Sequence, residues 1–368
     1  MPTPQVQALL KRGVKMPDPA QVFVDEEVDP TRVHATAVLH PGTRLQGRRT
    51  WLGAGAQVGT EGPATLVDSV FGESASIASG YAKGVVLLRG ASLGFAGHAR
   101  EGTLLEEEAS TAHAVGLKQT ILLSFVTLGS LINFCDVLMA GGRSRKDHSE
   151  VGSGFIHFNF TPWGKAGDKA TPSLVGDVVD GALLRQKRIF LGGSSGLVGP
   201  RAVGYGSITG AGQVVRRDVG PGRLVVQTSS PVDLALDDVR DERVDKVVTK
   251  NVAYIGNLQA LRAWCLEARL GRARRANAAD LAVVYEEAVR NLDVCLAERV
   301  TRLESYLGER GRSLPKSGAP LILPFPLALD DSSADHVKWV QEMSDADADK
   351  ARGWLASIVE QVSRSLLG

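Results

Sequence analysis

Aliphatic or small residues recur at every sixth position through the centre of the chain, at Leu87, Leu93, Ala99, Leu105 and Thr111. A second series of small residues lies four positions after each of the first four, at Ala91, Gly97, Thr103 and Ala109. This pattern is typical of hexapeptide units in a parallel β-helix. One six-residue unit cannot bury a core by itself, so the units must stack as successive coils. The interval therefore predicts a mainly β protein whose fold is that stack.

The same interval extends from residue 21 to about residue 230, with two interruptions at residues 139–150 and 160–173. Residues 1–20 form a lead-in that contains one short predicted helix over residues 5–11. The interruptions have the sequences MAGGRSRKDHSE and FTPWGKAGDKATPS. Their content of Gly, Pro and charged residues predicts loops that leave the β-helix.

Near the C-terminal end the periodicity becomes that of an α-helix. Apolar residues between Leu281 and Leu296 follow steps of three and four, which places them on one helix face. We therefore predict a separable α-helical domain over residues 245–368, after a connector at residues 227–233. Its charged faces favour a packing domain, an element for oligomerisation or partner binding, or a cap on the last coil, whose strand edges would otherwise be unpaired.

Charge and hydropathy exclude some classes of partner. The net charge is +1 over 368 residues, whereas nucleic-acid binding usually needs a strongly basic surface. The N-terminal residues lack the apolar stretch of a signal peptide. The most apolar segment, residues 121–138, is interrupted by polar residues and does not suit a membrane span. We expect a cytoplasmic protein with neither nucleic acid nor membrane as a partner.

The cysteines and histidines do not predict a metal site or a disulfide framework. Cys135, Cys265 and Cys295 are far apart and odd in number, so we expect reduced thiols in the core. Histidines that could supply a zinc site are His34, His40, His98, His113 and His157. These residues form no closely spaced triplet, so no metal is expected.

Polar side chains collect at the interruptions of the repeat. They are Lys118, Asn133 and Asp136 before the first interruption, His148 within it, and His157, Asn159, Lys165 and Lys169 at the second. Coils of about 18 residues stack in register, so residues about one coil apart can converge on one edge of the β-helix.

Several segments resemble a known family. They are RGVKMPDPAQVFVDEEV, HPGTRLQG, AREGTLLEEEA, VGLKQTIL, VGSGFIHFNF, FLGGSSGLVGP and GSITGAGQVVRRDV, within residues 12–220. Together they are similar to the C-terminal acetyltransferase domain of bifunctional UDP-N-acetylglucosamine pyrophosphorylase/glucosamine-1-phosphate acetyltransferase. The resemblance implies a left-handed parallel β-helix, a homotrimer, acetyl-CoA as co-substrate and an amino sugar phosphate as substrate. The nucleotidyltransferase domain of that family has no counterpart in this sequence, so no pyrophosphorylase activity is expected.

The resemblance also implies roles for individual residues. Arg100 and Lys118 match the residues that bind the sugar phosphate, and Lys165 or Lys169 could add a further cation. Asn159 matches the residue that orients the sugar amine. The glycine-containing turns at Gly193, Gly210 and Ala211 are candidates for binding the acetyl-CoA.

The sequence departs from the family where a general base is expected. Ser130 stands near the position of the family's catalytic histidine, and Asn133 near that of a neighbouring substrate-binding tyrosine. His148 in the first interruption could replace the missing histidine. Plain alternatives remain for three of these residues. His148 could be a solvated loop residue, Arg100 could pair with Glu101 or with an acid among residues 106–108, and Asn159 could belong to an interior polar ladder.

The repeat and the family resemblance are compatible with two functions. The first is an acyl-CoA-dependent N-acetyltransferase for an amino sugar 1-phosphate, with His148 and Asn159 as its catalytic residues. The second is a non-catalytic β-helix that binds a sugar phosphate or sugar nucleotide and recruits partners through its helical tail. Loss of the aligned histidine favours the second function, whereas Arg100, Lys118 and Asn159 favour the first.

Overall fold

The computed structural model describes residues 2–161, 168–226, 244–315, 324–329 and 335–367. Short parallel strands stack into a β-helix of about 11 turns, and helices follow it. The mainly β fold predicted from the sequence is confirmed.

The strands are β1 (Phe23–Val24), β2 (Val38–Leu39), β3 (Arg44–Gln46), β4 (Trp51–Leu52), β5 (Gln57–Val58), β6 (Ala64–Val67), β7 (Val70–Phe71), β8 (Ser76–Ile77), β9 (Gly80–Lys83), β10 (Val85–Leu87), β11 (Ser92–Leu93), β12 (Gly97–Ala99), β13 (Thr103–Leu105), β14 (Ser110–Thr111), β15 (Gly116–Leu122), β16 (Thr127–Leu128), β17 (Asn133–Met139), β18 (Gly142–Ser144), β19 (Asp147–His148), β20 (Glu150–Val151), β21 (Ile156–Phe158), β22 (Ser173–Val175), β23 (Phe190–Leu191), β24 (Gly196–Val198), β25 (Ala202–Val203), β26 (Ile208–Thr209), β27 (Val214–Val215) and β28 (Leu224–Val225). The helices are α1 (Pro4–Lys11), α2 (Val178–Gly181), α3 (Val244–Ala263), α4 (Gly271–Arg275), α5 (Ala279–Gly308), α6 (His336–Glu342) and α7 (Asp345–Leu367). A π-helical segment, Trp264–Leu270, joins α3 to α4.

Each coil contributes one strand to each of three parallel faces. Face one carries β1, β3, β6, β9, β12, β21, β24, β27 and the first halves of β15 and β17. Face two carries β4, β7, β10, β13, β22, β25 and the second halves of β15 and β17. Face three is a separate ten-stranded sheet that runs from β2 to β28. The two long strands bend at the corner between faces one and two.

The residues at the six-residue interval point inward and form the core. Leu87, Leu93, Ala99 and Leu105 are at most 1% exposed, and register pairing stacks equivalent positions in neighbouring coils. The apolar side chains therefore bury one another along the whole axis, which is how stacked units stabilise each other. The short helix α1 adds Val6 and Leu9 to this core.

The first interruption folds back as an antiparallel hairpin of β18 and β19. Gly141 and Gly142 begin it with φ of 109° and 101°, values that glycine adopts without a steric penalty. The hairpin lies at the corner between faces two and three. In the second interruption, residues 162–167 lie outside the described residues, and Thr161 and Asp168 on either side form an antiparallel bridge.

The C-terminal helices pack along face two. Outward side chains of that face, among them Val86, Leu104 and Ile121, form one buried cluster with residues of α3, α5 and α7. Asn291 of α5 also donates a hydrogen bond to the Gly84 carbonyl over 2.9 Å. The helical region thus shares a buried cluster with the β-helix. The local 3.6-residue period could not reveal this packing, because it identifies a buried helix face but not its neighbour.

Among the described residues, no helix combines the length and the apolar character that a membrane crossing requires.

Candidate functional site

A groove of about 420 Å³ lies on face one beside the corner with face three. Its lining comprises His98, Arg100, Ala114, Gly116, Leu117, Leu131, Ile132, Asn133, Cys135 and Ile156. Two of the substrate-binding residues predicted from the sequence, Arg100 and Asn133, therefore meet in one cavity.

Strand register explains how the groove forms. His98, Gly116, Asn133 and Ile156 occupy one outward row of paired positions across β12, β15, β17 and β21. Neighbouring strands lie about 4.8 Å apart, so the side chains of His98 and Asn133 stand roughly 10 Å apart. Gly116 between them has no side chain, and this leaves a gap that a ligand group could enter.

A second outward row on the same face carries the cations. Lys118 is paired with Cys135 on the next strand, and the Arg100 amide donates to the Leu117 carbonyl over 2.9 Å, which places Arg100 beside Lys118. Neither side chain forms an ion pair with another described residue. Glu101 pairs with Lys83 at 2.9 Å, and Glu106 pairs with Arg269 at 3.0 Å. Both cations are thus available for an anion. Glu101 and Glu106, which could have paired with Arg100, have other partners.

Asn159 lies beyond the end of β21 and takes part in a buried polar network. Its Nδ2 donates to Asp136 Oδ2 over 3.1 Å. The other oxygen of Asp136 pairs with Arg299 Nη2 of α5 at 2.9 Å, and both side chains are at most 6% exposed. Burial raises the pKa of Asp136, and the charge of Arg299 opposes that rise.

His148 lies in a different cavity at the hairpin corner. Its Nδ1 is 2.8 Å from the Arg145 carbonyl oxygen, and its ring lines a space of about 560 Å³ with Arg143, Lys187 and Phe190. Within one chain, the structure does not bring His148 together with Arg100.

The remaining predicted residues are dispersed. Lys165 lies outside the described residues, and Lys169 is exposed beyond the Thr161–Asp168 bridge. Gly193, Gly210 and Ala211 form stacked turns at the corner between faces three and one, where the Gly212 amide donates to the Gly193 carbonyl over 3.0 Å. These turns are two to three coils further along the axis than Asn133.

His157 occupies an inward core position and is buried. Its Nδ1 is 2.6 Å from the Cys135 carbonyl oxygen and its Nε2 is 2.8 Å from Ser173 Oγ. Burial lowers its pKa to about 4, so the ring is neutral at physiological pH. It stabilises the coil and is not available to a ligand.

The cysteines are free thiols, as expected, but they do not all lie in the core. Cys265 and Cys295 are buried, whereas Cys135 is half-buried and lines the groove. Cys135 follows two residues after Asn133 in the same strand, and alternate residues of a strand share a face. That alternation places its side chain outward.

Sequence reasoning missed one histidine that lines the groove and a second that is next in sequence to a lining residue. His98 lines it and stacks on Tyr81 with ring centroids 5.3 Å apart. His113 precedes the lining residue Ala114, and its Nδ1 is 2.8 Å from Ser130 Oγ. His113 and Ser130 lie 17 residues apart, about one coil, so the ring of His113 is beside the residue at which the resemblance led us to expect a histidine. Two spacings in the sequence could have identified these histidines. His98 precedes Arg100 by two residues, so both lie on one face of a strand. His113 precedes Ser130 by 17 residues, which is about one coil.

Known proteins that are similar to this chain include several bifunctional proteins named GlmU. Residues of this chain align with the bifunctional protein GlmU of Nocardia farcinica at 29% identity over 217 residues, 59% of this chain and 38% of that protein. The GlmU of Clavibacter sepedonicus is 31% identical over the same length and the same shares. That of Thermotoga petrophila is 28% identical over 218 residues, 59% of this chain and 43% of its own. The matched part of GlmU is its C-terminal part.

The β-helix is homologous to the C-terminal part of GlmU. The resemblance predicted from the sequence is therefore confirmed for this region. The chain spans about two fifths of the length of the GlmU proteins that it matches. No family model matches it.

Two solved structures align weakly. They are an Arabidopsis UDP-N-acetylglucosamine acyltransferase, with TM-score 0.19 and 12% identity over 52% of this chain and 70% of that one, and the polySia-specific acetyltransferase NeuO, with TM-score 0.18 and 9% identity over 63% and 91%. Scores this low indicate neither a shared substrate nor a shared reaction.

Proposed function

We propose that this GlmU-like β-helix is an acyl-CoA-dependent N-acetyltransferase acting on an amino sugar 1-phosphate. The observation that carries the proposal is the pair of adjacent cations Arg100 and Lys118, which form no ion pair with any described residue and lie beside a groove that also presents His98 and Asn133. Guanidinium and ammonium groups are the usual side-chain ligands of a phosphate.

The proposed reaction makes one amide bond and breaks one thioester. The amine nitrogen of the sugar attacks the carbonyl carbon of acetyl-CoA, a C–N bond forms, and the C–S bond breaks. A base takes one proton from the nitrogen, and the departing CoA sulfur is released as the thiol. Backbone N–H groups must stabilise the developing oxyanion, and the turns at Gly193, Gly210 and Ala211 remain our candidates for binding acetyl-CoA.

His113 is our first candidate for the base. Its Nδ1 is 2.8 Å from Ser130 Oγ, and in the tautomer in which Nδ1 donates to that oxygen, Nε2 accepts the proton. A base whose other nitrogen is oriented by a neighbour is the usual arrangement for acid–base catalysis. His148 remains the alternative that the sequence suggests, and it would have to act from another subunit.

We also propose that the chain works as a homotrimer in the cytoplasm. A groove on the outside of one β-helix is open on one side, and a neighbouring copy would enclose a ligand there. Light scattering tests this: we expect a mass three times 39.0 kDa. A monodisperse monomer at micromolar concentration would contradict a shared site.

The deciding experiment measures CoA release and sugar binding together. We expect wild-type protein to release free CoA with glucosamine 1-phosphate, and Arg100→Ala to weaken binding of that sugar by about 1–3 kcal/mol, the range for a lost charge-assisted hydrogen bond. Arg188→Ala is the matched control, because Arg188 is an exposed arginine of the other cavity. Binding without CoA release across a panel of amino sugars would favour the non-catalytic binding protein. No phosphosugar binding would overturn both functions.

A further inference from the structure

The buried contact between Arg299 and Asp136 joins the helical region to the groove. Arg299 belongs to α5, whereas Asp136 lies in β17 directly after Cys135, a lining residue. We infer that Arg299 is a positioning residue of the proposed acetyltransferase site: through Asp136 it fixes the side-chain orientation of Asn159. This inference rests on the proposed function, and it makes the helices part of the site.

The hydrogen-bond inventory of the three side chains defines the orientation. An ionised carboxylate only accepts hydrogen bonds, whereas an amide offers a donor group on one side and an acceptor on the other. Asn159 must therefore turn Nδ2 towards Asp136, as observed at 3.1 Å. Its Oδ1 accepts no hydrogen bond from a described residue, and in our inference this oxygen receives an N–H of the attacking amine.

Arg299 favours this orientation because its charge favours the ionised state of Asp136, against the burial that raises the pKa of that carboxyl. A protonated Asp136 could donate as well as accept, and Asn159 could then face it with either end of the amide. Several other groups also face Asp136: Glu298 and Cys295 of α5, Lys118 of β15, Tyr254 of α3 and the neighbouring Cys135. Of these, Lys118 also favours the ionised form and Glu298 opposes it.

Arg299 is buried with incomplete hydrogen bonding. It is 2% exposed, and its Nε and Nη1 donate to no acceptor among the described residues. Burying a charged group with unsatisfied donors is costly. A second buried arginine, Arg269, is equally buried and its Nε also lacks an acceptor among these residues. Arg269 joins the π-helical segment to Glu106 and Glu107, in the turn after β13 and away from the groove, so it provides a matched comparison.

The test compares Arg299→Lys with Arg269→Lys in the full chain. Both changes keep the charge, shorten the side chain and loosen buried ion pairs with the β-helix, one for Arg299 and two for Arg269. We expect Arg299→Lys to lower kcat by about tenfold to a hundredfold with KM within about twofold, because misplacing a reacting group acts on the chemical step. Arg269→Lys should leave kcat within about twofold at an equal loss of thermal stability. Equal kcat losses in the two variants would overturn the inference.

A second variant guards against misfolding and separates positioning from a structural effect. Asp136 has a φ of 62°, which asparagine tolerates well, so Asp136→Asn should fold. In wild type and Arg299→Lys, we expect kcat to fall on the acid side as Asp136 takes up a proton, and this fall should begin at higher pH in Arg299→Lys. The general base also takes up a proton at low pH in every variant, so an acid limb remains in Asp136→Asn. In the Asp136→Asn protein kcat should be low at every pH, and adding Arg299→Lys should not move the limb. A limb that Arg299→Lys still shifts in the Asp136→Asn protein would contradict the role of Asp136.

An activity-independent measurement distinguishes failure of this inference from failure of the proposed function. In ¹⁵N-labelled protein, the side-chain amide protons of Asn159 should exchange slowly in wild type and Arg269→Lys, and faster in Arg299→Lys. Slow exchange in Arg299→Lys would overturn the positioning even in an active enzyme. If wild type transfers no acetyl group, the proposed function fails and the catalytic meaning of Arg299 fails with it, whatever the exchange rates.

Discussion

At the scale of single residues, coil stacking decides which side chains can act together. His98 and Asn133 are 35 positions apart in the chain but two strands apart on face one. Arg100 and Lys118 are adjacent for the same reason. A functional group on this fold is therefore defined by its row and face, and distance along the chain is a poor guide.

The base is the first residue that this geometry lets us test. We expect His113→Ala to lower kcat by about 10²- to 10⁴-fold, the usual loss for a general base, with phosphosugar binding nearly unchanged. His148→Ala should lower kcat by less than about twofold, because its ring lies in the other cavity. Initial rates of CoA release and calorimetric binding measure the two effects. A large kcat loss in His148→Ala alone would instead establish the base that the sequence suggests.

The buried His157 should make stability depend on pH. Its pKa is lowered from 6.5 to about 4, so the unfolded chain binds more protons than the folded chain between those values. The neutral buried ring therefore adds about 3 kcal/mol to the free energy of unfolding above about pH 6.5. That stabilisation is lost as the pH falls towards 4. Denaturant unfolding of His157→Gln should show a pH dependence smaller by that amount. Burial also lowers the pKa of His336. His336 is present in both wild type and His157→Gln, so its effect cancels in the comparison. Identical pH profiles would mean that His157 is not buried as a neutral ring.

The sequence predicted these residues unevenly for a physical reason. Arg100, Lys118 and Asn133 lie in unbroken coils, where a constant interval fixes the row of each side chain. His148 lies within an interruption of the repeat. The six-residue interval does not specify how that segment folds, so it does not predict which face the side chain lies on. The role of Arg299 depends on where α5 packs, which no local period specifies.

At the scale of elements, the stacked turns set the closest approach between coils. A Cβ added to Gly192 would lie 2.4 Å from the Gly210 carbonyl carbon and oxygen. Atoms that close must separate, and neighbouring coils cannot part without disturbing β23 and β26. Glycine at this turn is therefore a packing requirement and does not by itself indicate a ligand site.

Gly192→Ala should destabilise the β-helix by about 1–3 kcal/mol, the usual cost of overpacking. Gly220→Ala is the matched control, because a Cβ there would meet no atom closer than 3.9 Å. Denaturant unfolding gives both free energies. A tolerated alanine at Gly192 would mean that the coils lie further apart at this corner.

At the scale of the whole molecule, face two has an apolar outward surface. Val86, Leu104 and Ile121 are paired in one row across β10, β13 and β15, and each is at most 3% exposed beneath the helices. A solvated sheet face would carry polar residues at such positions. The period of six could predict the inward rows, but the meaning of these outward residues became clear only from the packing of α3, α5 and α7. The helices and β-helix are thus expected to be one cooperative unit.

A chain that ends at residue 226 should therefore be insoluble, although it contains the entire β-helix and the groove. Truncation exposes the apolar row of face two and leaves Glu106, Glu107 and Asp136 without their arginine partners. A large exposed apolar patch promotes association. The measurement is the soluble fraction after expression, followed by light scattering. In the same truncated chain, Val86→Thr, Leu104→Gln and Ile121→Thr should restore part of the solubility, because they make that row polar. A soluble, cooperatively folded truncation without these substitutions would show that the helices are the separable domain that the sequence suggested.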